Sequence, residues 1–362
     1  TGGELPTVYT VDLRQELQEG NRSIFSRKLQ ELMTDRLNKG QQTILFLNRR
    51  GYAGFVSCRS CGEVMKCPHC DVSLSEHKGG RLICHYCGYT QPMPKLCPKC
   101  GSKYILGFKA GTQQIEEKLK ELYPGVRTLR MDADTTRTKD SYEKILSSFA
   151  NGEADVLIGT QMIVKGHDFP KVTLVGILAA DLSLNASDYR AGERTFQLLT
   201  QAVGRAGRGV LPGEAVIQTY QPDHYAITCA AAQDYESFYQ EEILYRELSG
   251  YPPVAHMLAV QIYGKEEENV KQLALRLTDV VKSNMDFLSG KQKEQSNKKI
   301  QVLGPAPANI SKINDIYRYV FYVKHAEYDV LVEVKDRLEE TLRQWQPRQM
   351  SIQFDFDPVS VL

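Results

Sequence analysis

Eight of the nine cysteines fall in four Cys-x-x-Cys pairs: Cys58/Cys61, Cys67/Cys70, Cys84/Cys87 and Cys97/Cys100. Two residues between thiols let both sulfurs reach one metal ion. Gly62, Gly88 and Gly101, directly after three of the pairs, permit the left-handed turn that aims backbone N–H groups at the thiolates. Four complete pairs imply two tetrahedral, structural Zn2+ sites. An even cysteine count also fits disulfides, but a chain of 362 residues with 42% hydrophobic residues needs no such staples. Thirteen residues between Cys70 and Cys84 suit a zinc-ribbon hairpin, whereas five between Cys61 and Cys67 leave little room for two knuckles to face each other. The spacing favours nested sites, with Cys67, Cys70, Cys84 and Cys87 inside and Cys58, Cys61, Cys97 and Cys100 outside. His69 and His85 lie within two pairs and could replace a sulfur; because each pair is already complete, they read as surface residues. Residues 58–109 carry eight basic side chains against three acidic ones, an excess that eight thiolates around two dications nearly cancel. The module is therefore no obvious DNA clamp. The lone Cys229, in an apparent helix, reads as a small core residue.

A second group of residues could handle phosphate. Ala154–Pro170 (ADVLIGTQMIVKGHDFP) is a buried strand running into a loop with Thr160, Gln161, Lys165, Gly166 and Asp168 at its mouth, where ligands bind in parallel sheets. Gln201–Gly209 (QAVGRAGRG) closes a helix with Arg205 and Arg208 three apart, on one face. Such a pair can stabilise charge on a transferring γ-phosphate through bidentate hydrogen bonds; it can equally be a basic helix end favouring its own dipole. Gly204 and Gly207 each cost about 1 kcal/mol in a helix relative to alanine, which points to close backbone approach.

The elements that must position these residues follow from periodicity. Residues 22–39 read as a helix, 43–47 as a buried strand, and after the cysteines the pattern resumes as helix 112–122, strand 127–131, helix 140–149, strands 154–159 and 172–178, helix 190–203 and strand 214–219. That alternation predicts a mostly parallel, doubly covered sheet, with the cysteines inserted at the end of one strand. From 254 the order is strand 254–263, helix 266–287, strands 300–303 and 318–324, helix 327–344 and strand 349–356, the ferredoxin-like α+β order. Tyr317, Tyr319, Phe321 and Tyr322 around Arg318 could stack on bases, although alternating aromatics in a strand also fit a core. Ser289–Lys299 is polar, Lys-rich and aperiodic, a loop. The formal charge of +1 makes any nucleic-acid site a local patch. No apolar run approaches the roughly 18 residues needed to span a bilayer, and no signal pattern opens the chain, so we expect a cytoplasmic protein without a membrane partner. Thr1 in place of Met and the hydrophilic Thr1–Pro6 suggest a piece of something longer.

LFLNRRGY (Leu45–Tyr52), GTQMIVKGHDF (Gly159–Phe169) and QAVGRAGR (Gln201–Arg208) resemble motifs IV, V and VI of superfamily 2 helicases. The cysteine pairs directly after NRRGY resemble the zinc insertion of the PriA family, and Tyr251-Pro252-Pro253 and Gly304-Pro305 resemble its C-terminal domain. The resemblance implies a RecA-like second helicase lobe at 1–52 and 107–222, a zinc-binding insertion at 53–106, and a C-terminal α+β domain at 223–362. It implies that Arg205 and Arg208 are arginine fingers, Gln201 their cleft neighbour, Gly166 and Asp168 part of the nucleotide site, and Asn48, Arg49 and Thr160 contacts to single-stranded DNA. The sequence holds no Gly-x-x-x-x-Gly-Lys-Ser/Thr loop, so ATP and Mg2+ would bind only together with a first lobe. The complete protein is then expected to be an ATP-driven 3′ to 5′ DNA helicase, monomeric, that recognises stalled forks and promotes replication restart. Its expected partners are single-stranded and forked DNA, primosome proteins and the single-stranded DNA-binding protein. A non-catalytic zinc-ribbon scaffold and an RNA-directed motor remain the alternatives.

Overall fold

The computed structural model describes residues 5–47, 56–69, 72–77, 80–107, 111–132, 135–136, 139–160, 169–186, 188–209, 211–283 and 300–359. They form two compact units, one of Thr1–Val64, Pro94–Ala186 and Arg190–Tyr239, the other of Met65–Met93, Ser187–Tyr189 and Gln240–Leu362. The cysteine-bearing insertion contributes to both.

In the first unit, β1 (Thr7–Asp12), α1 (Leu13–Gln18), α2 (Arg27–Asn38) and β2 (Gln42–Phe46) are followed by a short ladder of β3 (Val56–Cys58) with β7 (Ile105–Gly107). Then come α3 (Thr112–Leu122), β8 (Thr128–Met131), α4 (Lys139–Ala150), β9 (Val156–Gly159), β10 (Val172–Ile177), α5 (Asp181–Leu184), α6 (Ala191–Val203), β11 (Glu214–Thr219) and α7 (Tyr225–Ala232). Six strands make one all-parallel sheet in the order β1-β11-β10-β2-β9-β8. Burial on both faces explains the uninterrupted apolar strands. Ile44, Phe46, Val175 and Ile177 meet Phe149, Phe196 and Leu199 on one face. Leu45, Leu47, Leu174 and Val216 meet Leu29, Met33, Ile115 and Leu119 on the other. Cys229 lies in the first of these cores.

Two readings need correction here. The helix expected over 22–39 begins at Arg27, because Ser26 caps it by accepting from the Leu29 N–H at 3.3 Å. Ahead of that cap, residues 21–25 bond to themselves: Asn21 Nδ2 donates to the Phe25 carbonyl at 3.1 Å and the Phe25 N–H donates to Ser23 Oγ at 3.1 Å. No element was expected at 7–12, yet β1 pairs in parallel with β11 and closes that edge of the sheet. Its Thr-rich, half-exposed sequence gives a weak apolar signal, and backbone pairing supplies the rest.

In the second unit a three-stranded antiparallel ribbon, β4 (Ser75–His77), β5 (Arg81–Ile83) and β6 (Thr90–Pro92), carries the inner cysteines. Helix α8 (Tyr235–Ser249), which belongs to this unit from Gln240 on, leads into β12 (His256–Gly264), α9 (Glu267–Ser283), β13 (Gln301–Ile313), β14 (Ile316–His325), α10 (Tyr328–Trp345) and β15 (Met350–Phe356). The antiparallel order β13-β14-β12-β15 is the ferredoxin-like arrangement. β13 runs far beyond the expected 300–303, because Gly304-Pro305 makes a register shift between Leu303 and Ala306 without ending the strand. Residues 289–299 lie outside the described residues. The α9 and α10 layer covers one face of the sheet through Leu273, Leu277, Val281, Leu331, Val334 and Leu338.

Leu277 is fully buried in that core, so Leu277→Ala is expected to lower the unfolding free energy of this unit by about 2–5 kcal/mol. The single tryptophan, Trp345, packs on the same core, and its fluorescence during urea unfolding checks the shift. An unchanged midpoint would show that Leu277 does not support this core.

Candidate metal centres and the carboxyl edge of the sheet

The Sγ atoms of Cys58, Cys61, Cys97 and Cys100 all lie within 4.8 Å of one another. Cys58 and Cys100 are 3.6 Å apart and Cys61 and Cys97 3.7 Å. Four sulfurs about 2.3 Å from a tetrahedral zinc ion stand roughly 3.8 Å apart, whereas a disulfide holds its sulfurs at about 2.05 Å. The donor set fits a metal and not a pair of disulfides. Cys67, Cys84 and Cys87 form a second group, with Cys67 and Cys87 3.5 Å apart; Cys70 lies outside the described residues.

The backbone builds these knuckles by repeating one pattern. Each first cysteine donates its N–H to the carbonyl five residues on, Cys58 to Glu63, Cys67 to Val72, Cys84 to Tyr89 and Cys97 to Ser102, all at 2.8 Å. Gly62, Gly88 and Gly101 donate back to Cys58, Cys84 and Cys97 at 2.9 Å. Their φ values of 78°, 78° and 70° are left-handed, which a Cβ would oppose. Burial raises the Cys58 thiol, but the backbone N–H groups of Cys61 and Ser60 overcome it and bring it to about 7. Burial and the neighbouring sulfurs push Cys61 up to about 12. So crowded a set ionises fully only around a cation.

His85 is not a surface residue: it is 1% exposed. Its Nδ1 is 3.1 Å from the Pro307 carbonyl oxygen and its Nε2 3.0 Å from His77 Nε2. The neighbouring strand β13, invisible in local sequence, covers it. His69 is exposed, edge-on to Tyr89. Among the described residues neither histidine joins a metal-binding group.

At the carboxyl edge of the parallel sheet, Thr160 follows β9 and donates its N–H to the Met131 carbonyl at 3.3 Å. Asn48, Arg49, Gly166 and Asp168 lie outside the described residues. Gln201 is exposed in the last turn of α6, which ends at Val203. Arg205 and Arg208 therefore do not share a helix face. They sit on the turn and loop beyond it, at the opposite, amino edge of the sheet beside the starts of β10 and β11, Arg205 half-buried and Arg208 exposed, with Arg208 Nε donating to the Gly204 carbonyl at 2.7 Å. The close approach that the glycines signalled is to the chain itself. A Cβ on Gly207 would lie 2.4 Å from Gly213 N, and one on Gly209 2.5 Å from the Pro170 carbonyl oxygen. Gly207 also has a φ of 71° and donates to the Val172 carbonyl at 3.0 Å.

Sequence reasoning passed over Asp181, which is buried just beyond β10. It accepts from Thr219 Oγ1 at 3.0 Å and from the Tyr220 N–H at 3.0 and 3.1 Å, tying the ends of β10 and β11 together. Burial pushes its carboxyl up, against the pull of these donors. A polar residue directly after an apolar strand was the available signal. The outer knuckle presses on the same place, for the Arg59 guanidinium lies 4.8 Å over the Tyr220 ring and a Cβ on Gly62 would be 2.5 Å from the Tyr220 carbonyl oxygen. In the second unit, Tyr319 and Phe321 are buried in the helix-facing core with Tyr317 against it, and Tyr322 is buried on the opposite face. This aromatic run is packing.

Three family models match the chain: the primosomal protein N C-terminal domain at 247–359, the PriA DNA helicase Cys-rich region domain at 67–92 and the helicase conserved C-terminal domain at 96–210. The replication restart protein PriA of Bacillus subtilis is 44% identical over 99% of this chain and 43% of its own length. The protein of that name from Synechocystis is 42% identical over 99% of this chain and 42% of its own. The chain thus spans under half the length of these relatives. Among solved structures, S. cerevisiae Dbp5 bound to RNA and ADP BeF3 matches 68% of this chain and 45% of its own at 12% identity, with a TM-score of 0.32. No helix among the described residues is long and apolar enough to cross a membrane.

Gly101 has nothing within 4 Å of its would-be Cβ, whereas Gly62 has the Tyr220 carbonyl. Gly101→Ala is accordingly expected to cost about 1–2 kcal/mol from its backbone conformation alone and to keep its metal. Gly62→Ala adds the clash, and should lower the thermal midpoint further and release metal to a chelator sooner. Equal behaviour of the two variants would show that the knuckle does not press on β11.

Proposed function

The chain belongs to the PriA family, and from that premise we propose that it supplies the second motor lobe, the zinc module and the C-terminal domain of an ATP-dependent 3′ to 5′ DNA helicase acting in replication restart. The observation that carries this reading is one chain joining a helicase conserved C-terminal domain to the PriA Cys-rich region and the primosomal protein N C-terminal domain. On this reading the two cysteine groups each hold one Zn2+, with Cys70 completing the inner set. Zinc supplies cross-linking there and no chemistry, since four thiolates leave it no open position.

Arg205 and Arg208 are the arginine fingers, standing on a turn braced by Gly207 against Val172. Their guanidiniums stabilise charge that develops on the γ-phosphate of ATP, with Gln201 as their neighbour and Gly166 and Asp168 at the nucleotide. Asn48, Arg49 and Thr160 follow single-stranded DNA. ATP and Mg2+ bind together with a lobe carrying a phosphate-binding loop, a pattern these 362 residues do not contain, so they do not hydrolyse ATP by themselves. Stalled and forked DNA are the substrates; primosome proteins and the single-stranded DNA-binding protein are the partners.

Metal analysis of the tag-free chain is expected to give two zinc ions per chain and one in Cys97→Ser; a reproducible value of one in the unaltered, zinc-replete chain would remove the two-site reading. In protein carrying both lobes, Arg205→Ala and Arg208→Ala should each cost on the order of 10³ in DNA-stimulated ATP turnover, with DNA affinity nearly intact. Near-normal hydrolysis with lost DNA affinity would make the arginine a phosphodiester contact. Stimulation by forked DNA in excess of that by RNA is the accompanying expectation.

A further inference from the structure

We propose that the two metal centres support different units of the chain, the outer one the parallel-sheet lobe and the inner one the ferredoxin-like unit, and that Tyr86 is the side chain through which the inner centre does so. The proposal rests on both cysteine groups holding a metal. Its Tyr86 arm can be tested separately.

The need for such a contact begins in β14. Tyr319, Phe321 and Val323 point into the core under α9 and α10, so strand alternation turns Val320, Tyr322 and Lys324 to the other face. That face of an antiparallel sheet commonly meets water, yet these three side chains are 2%, 1% and 5% exposed. The inner knuckle lies against that strand pair. Tyr86, between Cys84 and Cys87, is 0% exposed, with its ring 5.0 Å from that of Tyr322 and 6.3 Å from that of Tyr251. Lys324 Nζ stands 4.1 Å over Tyr251 and donates to the Ser249 carbonyl at 2.8 Å. The residues flanking Tyr86 make the same contact: His85 reaches the Pro307 carbonyl, and Cβ atoms on Gly88 and Gly304 would stand 3.4 Å from the Pro305 carbonyl oxygen and 3.1 Å from the Tyr86 carbonyl oxygen.

The Tyr86 hydroxyl also accepts the Tyr189 N–H at 3.3 Å, and the Tyr189 ring stacks on Tyr251 with centroids 4.7 Å apart and planes 7° apart. Ser187–Tyr189 thereby joins this unit, although the residues on either side of it in sequence belong to the lobe. A knuckle of five residues keeps its shape only while Cys84 and Cys87 are held to Cys67. With that link lost, only the Tyr189 N–H bond and the His85–Pro307 contact remain, among the described residues, to hold Tyr86 over Tyr322. The outer centre belongs to the other unit. Its knuckles are joined by Lys99 and Glu63 at 3.3 Å and lie against Tyr220 at the end of β11.

Hydrogen exchange on the 362-residue chain, with zinc content measured for each variant, tests the assignment. Cys84→Ser and Tyr86→Ala should each speed amide exchange in Ile316–His325 by about tenfold or more and lower the unfolding midpoint reported by Trp345, while Val172–Ile177 is unchanged. Cys97→Ser should leave β14 and Trp345 as they are and speed exchange at Val56–Cys58 and Ile105–Gly107. Tyr86→Phe, which keeps the ring and loses the hydroxyl, should affect only the amide of Tyr189. Tyr86→Ala is expected to retain both zinc ions, so it decides the matter even where Cys84→Ser does not fold. Unchanged β14 exchange in a zinc-replete Tyr86→Ala chain, or equal loosening of both units in Cys84→Ser, would overturn the proposal. A zinc content of one in the unaltered chain would instead overturn the two-metal premise.

Discussion

Four thiols cannot ionise together in so small a volume unless a cation shares it, and the chain between β2 and α3 is arranged around that constraint. Cys58, Gly62, Cys84, Gly88, Cys97 and Gly101 donate their N–H groups within their own knuckles, while the Arg59 N–H goes to the Tyr104 carbonyl at 2.9 Å. What remains facing outward is a short run of side chains whose direction the metal fixes. In the outer centre these are Arg59 and the bare face of Gly62, pressed on Tyr220. In the inner centre they are His85 and Tyr86. A metal ion at each group would add cross-links that a segment this small needs beside its few buried apolar side chains, Leu74 and Leu82 among them.

The loop between α6 and β11, at the amino edge of the parallel sheet, obeys a different rule. Residues Arg205–Gly209 are held there by backbone proximity. Gly207 against Gly213, and Gly209 against Pro170, bring three chain segments closer than any side chain would allow. The loop between α6 and β11 is thereby fixed to the start of β10. Asp181 performs the matching task at the other end of β10, where one buried carboxylate joins two strand ends.

Features set by local chemistry were legible in the sequence. The grouping of the outer cysteines and of Cys67, Cys84 and Cys87 follows from how many residues two facing knuckles need, and the strands of both sheets other than β1 follow from period. What could not be read depends on contacts distant in sequence. β1 is a strand because β11 offers it an edge, and His85 is buried because residue 307 covers it. Arg205 and Arg208 have helical spacing, but Gly207 takes a positive φ to meet Val172, and the helix has already ended. The tyrosines at 317 and 319 fitted a stacking surface as well as a core; only α9 and α10, which bring Leu273 and Leu331 to them, distinguish the two.

The place of the insertion has its own logic. β2 is an interior strand whose hydrogen bonds to β10 and β9 are complete by Phe46, with the Leu47 N–H going to the Gly159 carbonyl at 2.9 Å. Residues added beyond that point cost the sheet no pairing. The cost is loop closure, which grows by only about 0.6 kcal/mol for each doubling of length, provided that the two ends are brought together. β3 and β7 bring them together by pairing Val56 with Gly107 and Cys58 with Ile105, so that Cys58 stands in the ladder itself and Cys61, Cys97 and Cys100 follow inside it. β3, β7 and the outer cysteines thus close the insertion at its base within the sheet's own unit.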